Sequence, residues 1–469
     1  MIIFVLAGVL LSFAYSFGVL GWLAWFALIP FFGLIFSMKG AKPRFFASFL
    51  FGFAFYLSSL AWFLLIKPMD EVSGFSMYFL LAAGWLLLGG VLALCLGFWG
   101  ALSHFFAKSI WQQVLYWPCA WFLLESSFSY LFGGFPWVIL GNSLAGYPIF
   151  IQSASIWGAT GLSSFLVLLQ CLLAAFWLQR KMIYVGLACI LFIGNLGFGY
   201  FSLGEQEDTE EYWQVATLQT SYSTAQKWSS EDEAMWQQYQ GLCEEIVNQS
   251  TEEVDLILWP ETSFPYQILD SKEWSQKFIS LAEGLNTNLL VGGYYGQDED
   301  TYNTLFEVSK TGTLQPVYLK QFLVPFGEYL PAENILKQIV SEEWLEQFPM
   351  GHLSSGKPQG AADFMDVKFA GMICYDSIFS DLLQKPIQEG AKIILVSSNE
   401  SWYVGSTALW QHFAHSIMRG VEYQRYVVRS ANGGYSAIID AHGQVLQEGT
   451  LGAFETLSAQ VPLLSLIHI

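Results

Sequence analysis

From Met77 to Phe106 the chain reads MYFLLAAGWLLLGGVLALCLGFWGALSHFF, without a single Asp, Glu, Lys or Arg. A helix crosses a bilayer with about 20 mostly apolar residues, and this stretch exceeds that length. Working outward, comparable runs lie at 2–18, 20–37, 44–66, 154–177 and 182–200, with a less apolar one at 112–128. Together they predict seven spans, the first two joined by a Gly-containing bend at Gly18 to Gly21. Residues 1–6 lack the basic start of a cleavable signal sequence, so the first run is expected to stay in place.

Beyond Tyr200 the character of the chain changes. Residues 1–200 hold seven basic side chains (Lys39, Lys42, Arg44, Lys67, Lys108, Arg180, Lys181) against three acidic ones (Asp70, Glu71, Glu125). Of the 20 basic and 39 acidic residues in the chain, the remainder therefore carries 13 and 36. With Met1 inside, the inner loops hold six of the seven basic residues and the outer loops only Lys67, the bias expected of cytoplasmic loops. An odd span count then delivers the acidic part to the outer side, the periplasm of a bacterium. A net charge of −19 argues against a general nucleic-acid binder, since phosphate contacts need a basic surface. With 54% hydrophobic residues the chain is not disordered. Six cysteines in 469 residues do not make a disulfide scaffold.

The acidic part alternates strand-like and helix-like segments, the pattern of an α/β domain. Strands are predicted at 213–219, 255–259, 289–294, 304–308, 314–319, 367–374, 393–397, 427–431, 436–439 and 454–461. Met235, Tyr239, Leu242, Cys243, Ile246 and Val247 share one helical stripe, which makes Cys243 a core residue. In α/β architectures sites assemble at strand ends, and three ends here carry reactive groups. Leu256-Ile257-Leu258-Trp259-Pro260 runs into Glu261; a carboxylate kept dry beside Trp and Pro suits general-base work, while in isolation it reads equally as a loop Glu. Lys320 follows an apolar strand and has Glu328 eight positions on; a buried ammonium there would stabilise an oxyanion, where a lone Lys is more often a solvated cap. Cys374 ends Ala370-Gly371-Met372-Ile373, inert packing by itself and a candidate nucleophile beside a base and a cation.

Glu, Lys and Cys in this order and with these flanks resemble the nitrilase, or carbon–nitrogen hydrolase, superfamily. Behind seven spans they resemble its membrane-anchored apolipoprotein N-acyltransferase family. Further family-like pieces are Trp117-Pro118-Cys119-Ala120-Trp121, Gly134-Phe135-Pro136-Trp137, Lys227-Trp228, Leu323 to Tyr329, Ser398-Asn399, Trp410-Gln411-His412-Phe413, and Arg419, Glu422, Arg425, Arg429, Asn432 and Gly433. The resemblance implies an α-helical multi-span membrane domain (1–204) and an α/β nitrilase-like domain, an αββα sandwich, on the extracytoplasmic side of a bacterial inner membrane (205–462). It implies Cys374 as nucleophile, Glu261 as general base and Lys320 as oxyanion stabiliser. Glu328, Tyr375 and Asp376 would support the site, and Trp228 would stand near the substrate entrance. The implied reaction moves an acyl chain from a phospholipid, phosphatidylethanolamine, through a Cys374 thioester to the α-amino group of diacylglyceryl-cysteine on an apolipoprotein. It needs no cofactor and no metal, and a monomer in the lipid bilayer is expected. Phe135, Trp137 and Trp228 are candidates for an acyl-chain entry, although each alone reads as an ordinary interfacial aromatic.

Asp376 stands where the family often has Glu, and Asn399-Glu400-Ser401-Trp402-Tyr403 replaces an Asn-Asp-x-Trp-Phe type of pattern. The family ends in one more span, whereas residues 463–469 form only a short tail, so that span is expected to be missing. Residues 328–351 read as a mobile arm by length and mixed composition. His412 and His415 are spaced as half a metal site with no fitting partners, and Gly292 to Gly296 lacks the ending of a phosphate loop. A Cys243–Cys374 disulfide would remove the nucleophile. Two other functions use the same features: a membrane-tethered nitrilase-type amidase, and an inactive lipoprotein-binding scaffold.

Overall fold

The computed structural model describes residues 1–66, 74–204, 209–228, 232–331 and 352–465. The outer-loop charges Lys67, Asp70 and Glu71, most of the 328–351 arm and the last four residues of the tail lie outside the described residues. So does the start of the expected second domain, at 205–208. The chain forms two compact units. One is Met1–Gln206 with Gly405–Gln424 and His442–Gln444; the other is Glu207–Val404, Arg425–Ala441 and Val445–Ile469.

The first unit is helical at all seven expected positions. Gly18–Ile35, Ala41–Leu65, Tyr78–Phe106, Ala154–Gln179 and Met182–Ser202 are long and apolar enough to cross a membrane. Ile2–Ser16 is a shorter apolar helix. Ile110–Ser127 starts at a capping box, with Gln112 N–H donating to Ser109 Oγ at 3.2 Å and Ser109 N–H to Gln112 Oε1 at 2.9 Å. In hydrocarbon, polar groups must be satisfied by the protein itself. Arg44 accordingly donates to Ser103 Oγ (2.9 Å) and the Met38 carbonyl (3.1 Å), and Glu125 accepts from Trp121 Nε1 (2.7 Å) and Leu140 N–H (2.9 Å).

Helix Ala408–Tyr423, which sequence order assigns to the second domain, belongs to this helical unit. Its Gln411 has every amide bonding position used. Trp62 Nε1 and Trp137 Nε1 donate to Oε1 at 3.0 and 2.8 Å, and Nε2 donates to Ser16 Oγ and the Ser59 carbonyl at 3.1 and 2.8 Å. Trp137 is buried in this packing and stacks on His412, so it is no interfacial aromatic. His415 lies within hydrogen-bond distance of the Trp137 carbonyl and Asn142. The kink at Gly158 (φ 72°) places the Ala159 N–H against Glu422 Oε1, 2.7 Å away.

Among the described residues the second unit holds twelve strands: β1 (Tyr212–Thr220), β2 (Leu256–Leu258), β3 (Asn288–Gln297), β4 (Asp300–Val308), β5 (Leu314–Leu319), β6 (Ala362–Phe364), β7 (Val367–Ile373), β8 (Ile393–Asn399), β9 (Val427–Asn432), β10 (Ala437–Ile439), β11 (Val445–Glu448) and β12 (Glu455–Pro462). They pair in the order β5-β4-β3-β2-β1-β9-β8-β7-β6, with β10 on β9, β11 on β10 and β12 on β1. Ten strands were expected; β6 and β11, three and four residues long, are the additional ones. The inner strands read as unbroken apolar runs because both faces are covered. Ala216, Leu218, Ile257, Leu289, Val291, Phe306 and Val308 pack with the helices Asp232–Gln249 and Lys272–Leu285. The alternate residues Val215, Leu256, Leu258, Leu290 and Leu305 share a second core with Phe369, Ile373, Ile393, Leu395 and Val428 from the other half of the sheet. The nearly closed sheet thus folds over its own core, as an αββα sandwich does.

Candidate active site

Strand direction puts three chain ends on one edge. β2, β1, β9, β8 and β7 are mutually parallel, and β5 returns to that direction after two antiparallel steps from β3. Glu261 follows β2, Lys320 follows β5 and Cys374 follows β7. All three are buried, Lys320 to 1% exposure.

Lys320 Nζ bridges two carboxylates, with Glu261 Oε1 at 2.9 Å and Glu328 Oε1 at 2.8 Å. Asn303 Nδ2, on β4, donates to the same two oxygens at 2.7 and 3.2 Å. Val324 N–H holds the other Glu328 oxygen at 2.8 Å. Both of these bonds to Glu261 fall on Oε1. Burial opposes charge on Lys320, but Glu261, Glu328 and Cys374 together hold its ammonium well above the ordinary lysine range.

Cys374 opens a 3-10 turn at φ 50°, in the left-handed region that a non-glycine residue adopts at a cost. Asp376 fastens this turn. Its Oδ2 accepts from Tyr318 OH (2.9 Å) and Ile373 N–H (3.1 Å), and its Oδ1 from Phe322 N–H (2.8 Å). The shorter acid therefore ties the Cys374 turn to the segment carrying Lys320. Burial raises the Asp376 carboxyl to about 6, against Lys320 and its donors. Burial, with the Glu261 carboxylate next, pushes the Cys374 thiol up to about 12, against the pull of Lys320 and a hydrogen bond with Ser398. Cys374 and Cys243 are both free thiols, and they sit in different cores.

Glu261 sits in a turn that needs a glycine opposite. A Cβ on Gly292 of β3 would stand 2.6 Å from the Pro260 carbonyl oxygen, 2.7 Å from Thr262 N and 2.8 Å from Glu261 Cα. Thr262 itself has φ 44°. The Gly292-Gly293 pair, with no phosphate-loop ending, serves this close approach. Lys227 Nζ caps the turn, donating to the Glu261 carbonyl at 2.8 Å and Thr262 Oγ1 at 3.2 Å.

Of the other expected residues, Glu328 is in direct contact with Lys320. Tyr375 is buried next to Cys374, its ring edge-on to Phe379. Trp228 is 49% exposed and stacks on Tyr294 with centroids 6.3 Å apart, a surface position that suits an entrance. Glu400, in the altered 399–403 loop, is fully buried in an ion pair with Arg429. Asn303 was not singled out in the sequence, Lys227 was noted only as part of a family-like pair, and Gly292 only in a run that is no phosphate loop. For Gly292 the available signal was a Gly-Gly pair inside β3; Asn303 lies among other polar residues of β4 and gave none.

A carbon-nitrogen hydrolase family model matches residues 214–467, and an apolipoprotein N-acyltransferase N-terminal domain model matches residues 7–172. The chain is 30% identical over 434 residues to an apolipoprotein N-acyltransferase of Brucella melitensis, covering 88% of this chain and 78% of that one. Proteins of the same name from Allorhizobium ampelinum and Shewanella oneidensis are 29% and 28% identical, each over 90% of this chain and over 81% and 82% of their own lengths.

Proposed function

We propose, for a chain that belongs to the apolipoprotein N-acyltransferase family, that acyl transfer to lipoproteins runs on Glu261, Lys320 and Cys374. The protein is a multi-pass membrane acyltransferase of the carbon–nitrogen hydrolase superfamily. The observation that carries the residue assignment is the buried Lys320 ammonium bridging Glu261 and Glu328 beside a thiol held at positive φ.

A thiol raised to about 12 is not ionised at neutral pH, so Glu261 takes its proton as the sulfur attacks. The target is the ester carbonyl of a phospholipid, phosphatidylethanolamine in our reading. Lys320 donates to the oxygen that becomes negative. Collapse breaks the ester C–O bond, the glycerol oxygen takes the proton back from Glu261, and lysophospholipid leaves an acyl-thioester on Cys374. The α-amine of diacylglyceryl-cysteine then attacks that thioester. Glu261 accepts the amine proton, the C–S bond breaks, and Cys374 recovers a proton as the amide product leaves. Glu328 and Asn303 hold Glu261 and Lys320 in register through both steps. Trp228 receives lipid at the entrance. The excess of basic residues in the loops assigned inside supports an extracytoplasmic catalytic unit in the bacterial inner membrane.

Intact mass after incubation with phosphatidylethanolamine and no acceptor tests this. Wild type is expected to gain one acyl chain that a diacylglyceryl peptide discharges, and Cys374→Ala to gain none. An adduct that water discharges as fast as the peptide identifies an amidase-type hydrolase. No adduct on folded wild type, with lipoprotein peptide still bound, identifies a scaffold.

A further inference from the structure

Lys227 has no part in the steps above, yet it is 2% exposed and lies against the turn that carries the proposed base. It ends the short helix Thr224–Lys227, whose N-terminus is closed by a Ser223–Gln226 capping box. The next residue is Trp228, stacked on Tyr294 at the surface. One small element therefore presents an aromatic outward and a cation inward. Among the described residues no carboxylate oxygen pairs with Lys227. Its Nζ instead donates to a main-chain carbonyl, that of Glu261, and to a hydroxyl, Thr262 Oγ1. A buried lysine without a paired carboxylate is costly.

We propose that Lys227 is a positioning residue of the acyl-transfer site. It holds the left-handed turn after Glu261 through two hydrogen bonds and, while charged, supports the negative charge that passes between Glu261 and Cys374. The inference rests on the acyl-transfer reading above. Burial brings the Lys227 ammonium down to about 7, against the attraction of Glu261 and Cys374, the two titrating groups that face it among the described residues. The attraction is mutual: whatever the Cys374 thiolate does to hold the Lys227 proton, the Lys227 charge returns to the thiolate. That support is complete in acid and is withdrawn as Lys227 loses its proton through neutrality. Arginine stays charged throughout, and methionine never carries the charge.

The test is the rate of iodoacetamide alkylation of Cys374, read on its tryptic peptide from the full-length protein in detergent, as a function of pH. Relative to wild type, Lys227→Met is expected to slow alkylation about tenfold near pH 6, the effect of about one pKa unit on the thiol. It is expected to approach wild type near pH 9. Lys227→Arg is expected to match wild type in acid and to exceed it above neutrality. Ratios to wild type that are the same at every pH, in both variants, overturn the proposal and leave Lys227 a structural clamp. If Lys227→Met does not fold, the Lys227→Arg series decides by the same criterion. Thioester formation is measured on the same samples. Absence of the wild-type adduct overturns the acyl-transfer reading, whereas an adduct with pH-independent ratios overturns only the role of Lys227.

Discussion

Replacing Lys320 by Met removes the cation from between two carboxylates and leaves a side chain of similar length. In wild type the ammonium stands 2.9 Å from Glu261 Oε1 and 2.8 Å from Glu328 Oε1, at 1% exposure. At an effective dielectric of about 20, each contact corresponds to roughly 6 kcal/mol of gross attraction. Most of that offsets the desolvation of three charges. What the variant leaves is two Oε1 atoms sharing Asn303 Nδ2 without the cation that bridged them. Removing one partner of a buried pair costs about 3–5 kcal/mol, or a Tm lower by roughly 10 °C for a unit of this size. Glu328→Gln removes one of the two facing carboxylates, so in the Lys320→Met background it is expected to recover part of the deficit. Thioester formation falls about 10²–10³-fold, the usual cost of losing an oxyanion donor, and Glu328→Gln does not restore it. Thermal unfolding in detergent, with intact mass for the adduct, measures both. A deficit unrelieved by Glu328→Gln refutes the bridging role.

Three further outcomes follow from particular contacts. Gly292→Ala pushes a methyl group into the backbone of Pro260, Glu261 and Thr262, none of which can swing aside; overpacking of about 1–3 kcal/mol and a sharp loss of adduct formation are expected by the same two assays, and a variant with wild-type rate and Tm refutes the close approach. Gln411→Leu strips the acceptor from two buried indole N–H groups; unmatched, each costs about 1–3 kcal/mol, so this single change in the helical unit should lower Tm by several degrees, and an unchanged Tm refutes the bonding described. The Asp376 carboxyl is held at about 6 in the folded protein and near 3.9 unfolded. The native state binds more protons between those values, so this group's contribution to stability falls as pH rises from about 4 to about 6. Asp376→Asn should lose that slope, and an identical slope in both proteins would remove the assignment.

The site was legible in part. Glu261, Lys320 and Cys374 each stand just past an apolar strand, a place where local sequence reports both strand and exit, and Glu328 follows in the same loop as Lys320. Asn303 lies mid-strand, and Lys227 on a one-turn helix. Their relevance comes from β3 joining β4 to β2, and from β1, which leads to Lys227, pairing with β2, neighbours that no spacing along the chain encodes.

The sequence by itself determined the two-part organisation, because hydropathy runs and charge density are properties of consecutive residues that the bilayer and water read directly. Ten of the strands among the described residues were legible in it, the central ones such as β2 and β8 because burial on both faces leaves apolar runs there. Only the tertiary structure decided that helix Ala408–Tyr423 belongs with the helical unit. Its hydrophilic-looking Gln411 is satisfied there by Trp62, Trp137, Ser16 and Ser59, partners up to several hundred residues away in the chain. It also decided that Asp376 is a clamp and that Gly292 is needed for room, since a hydrogen bond and a close approach depend on which surfaces meet, and surfaces meet only after the chain has folded.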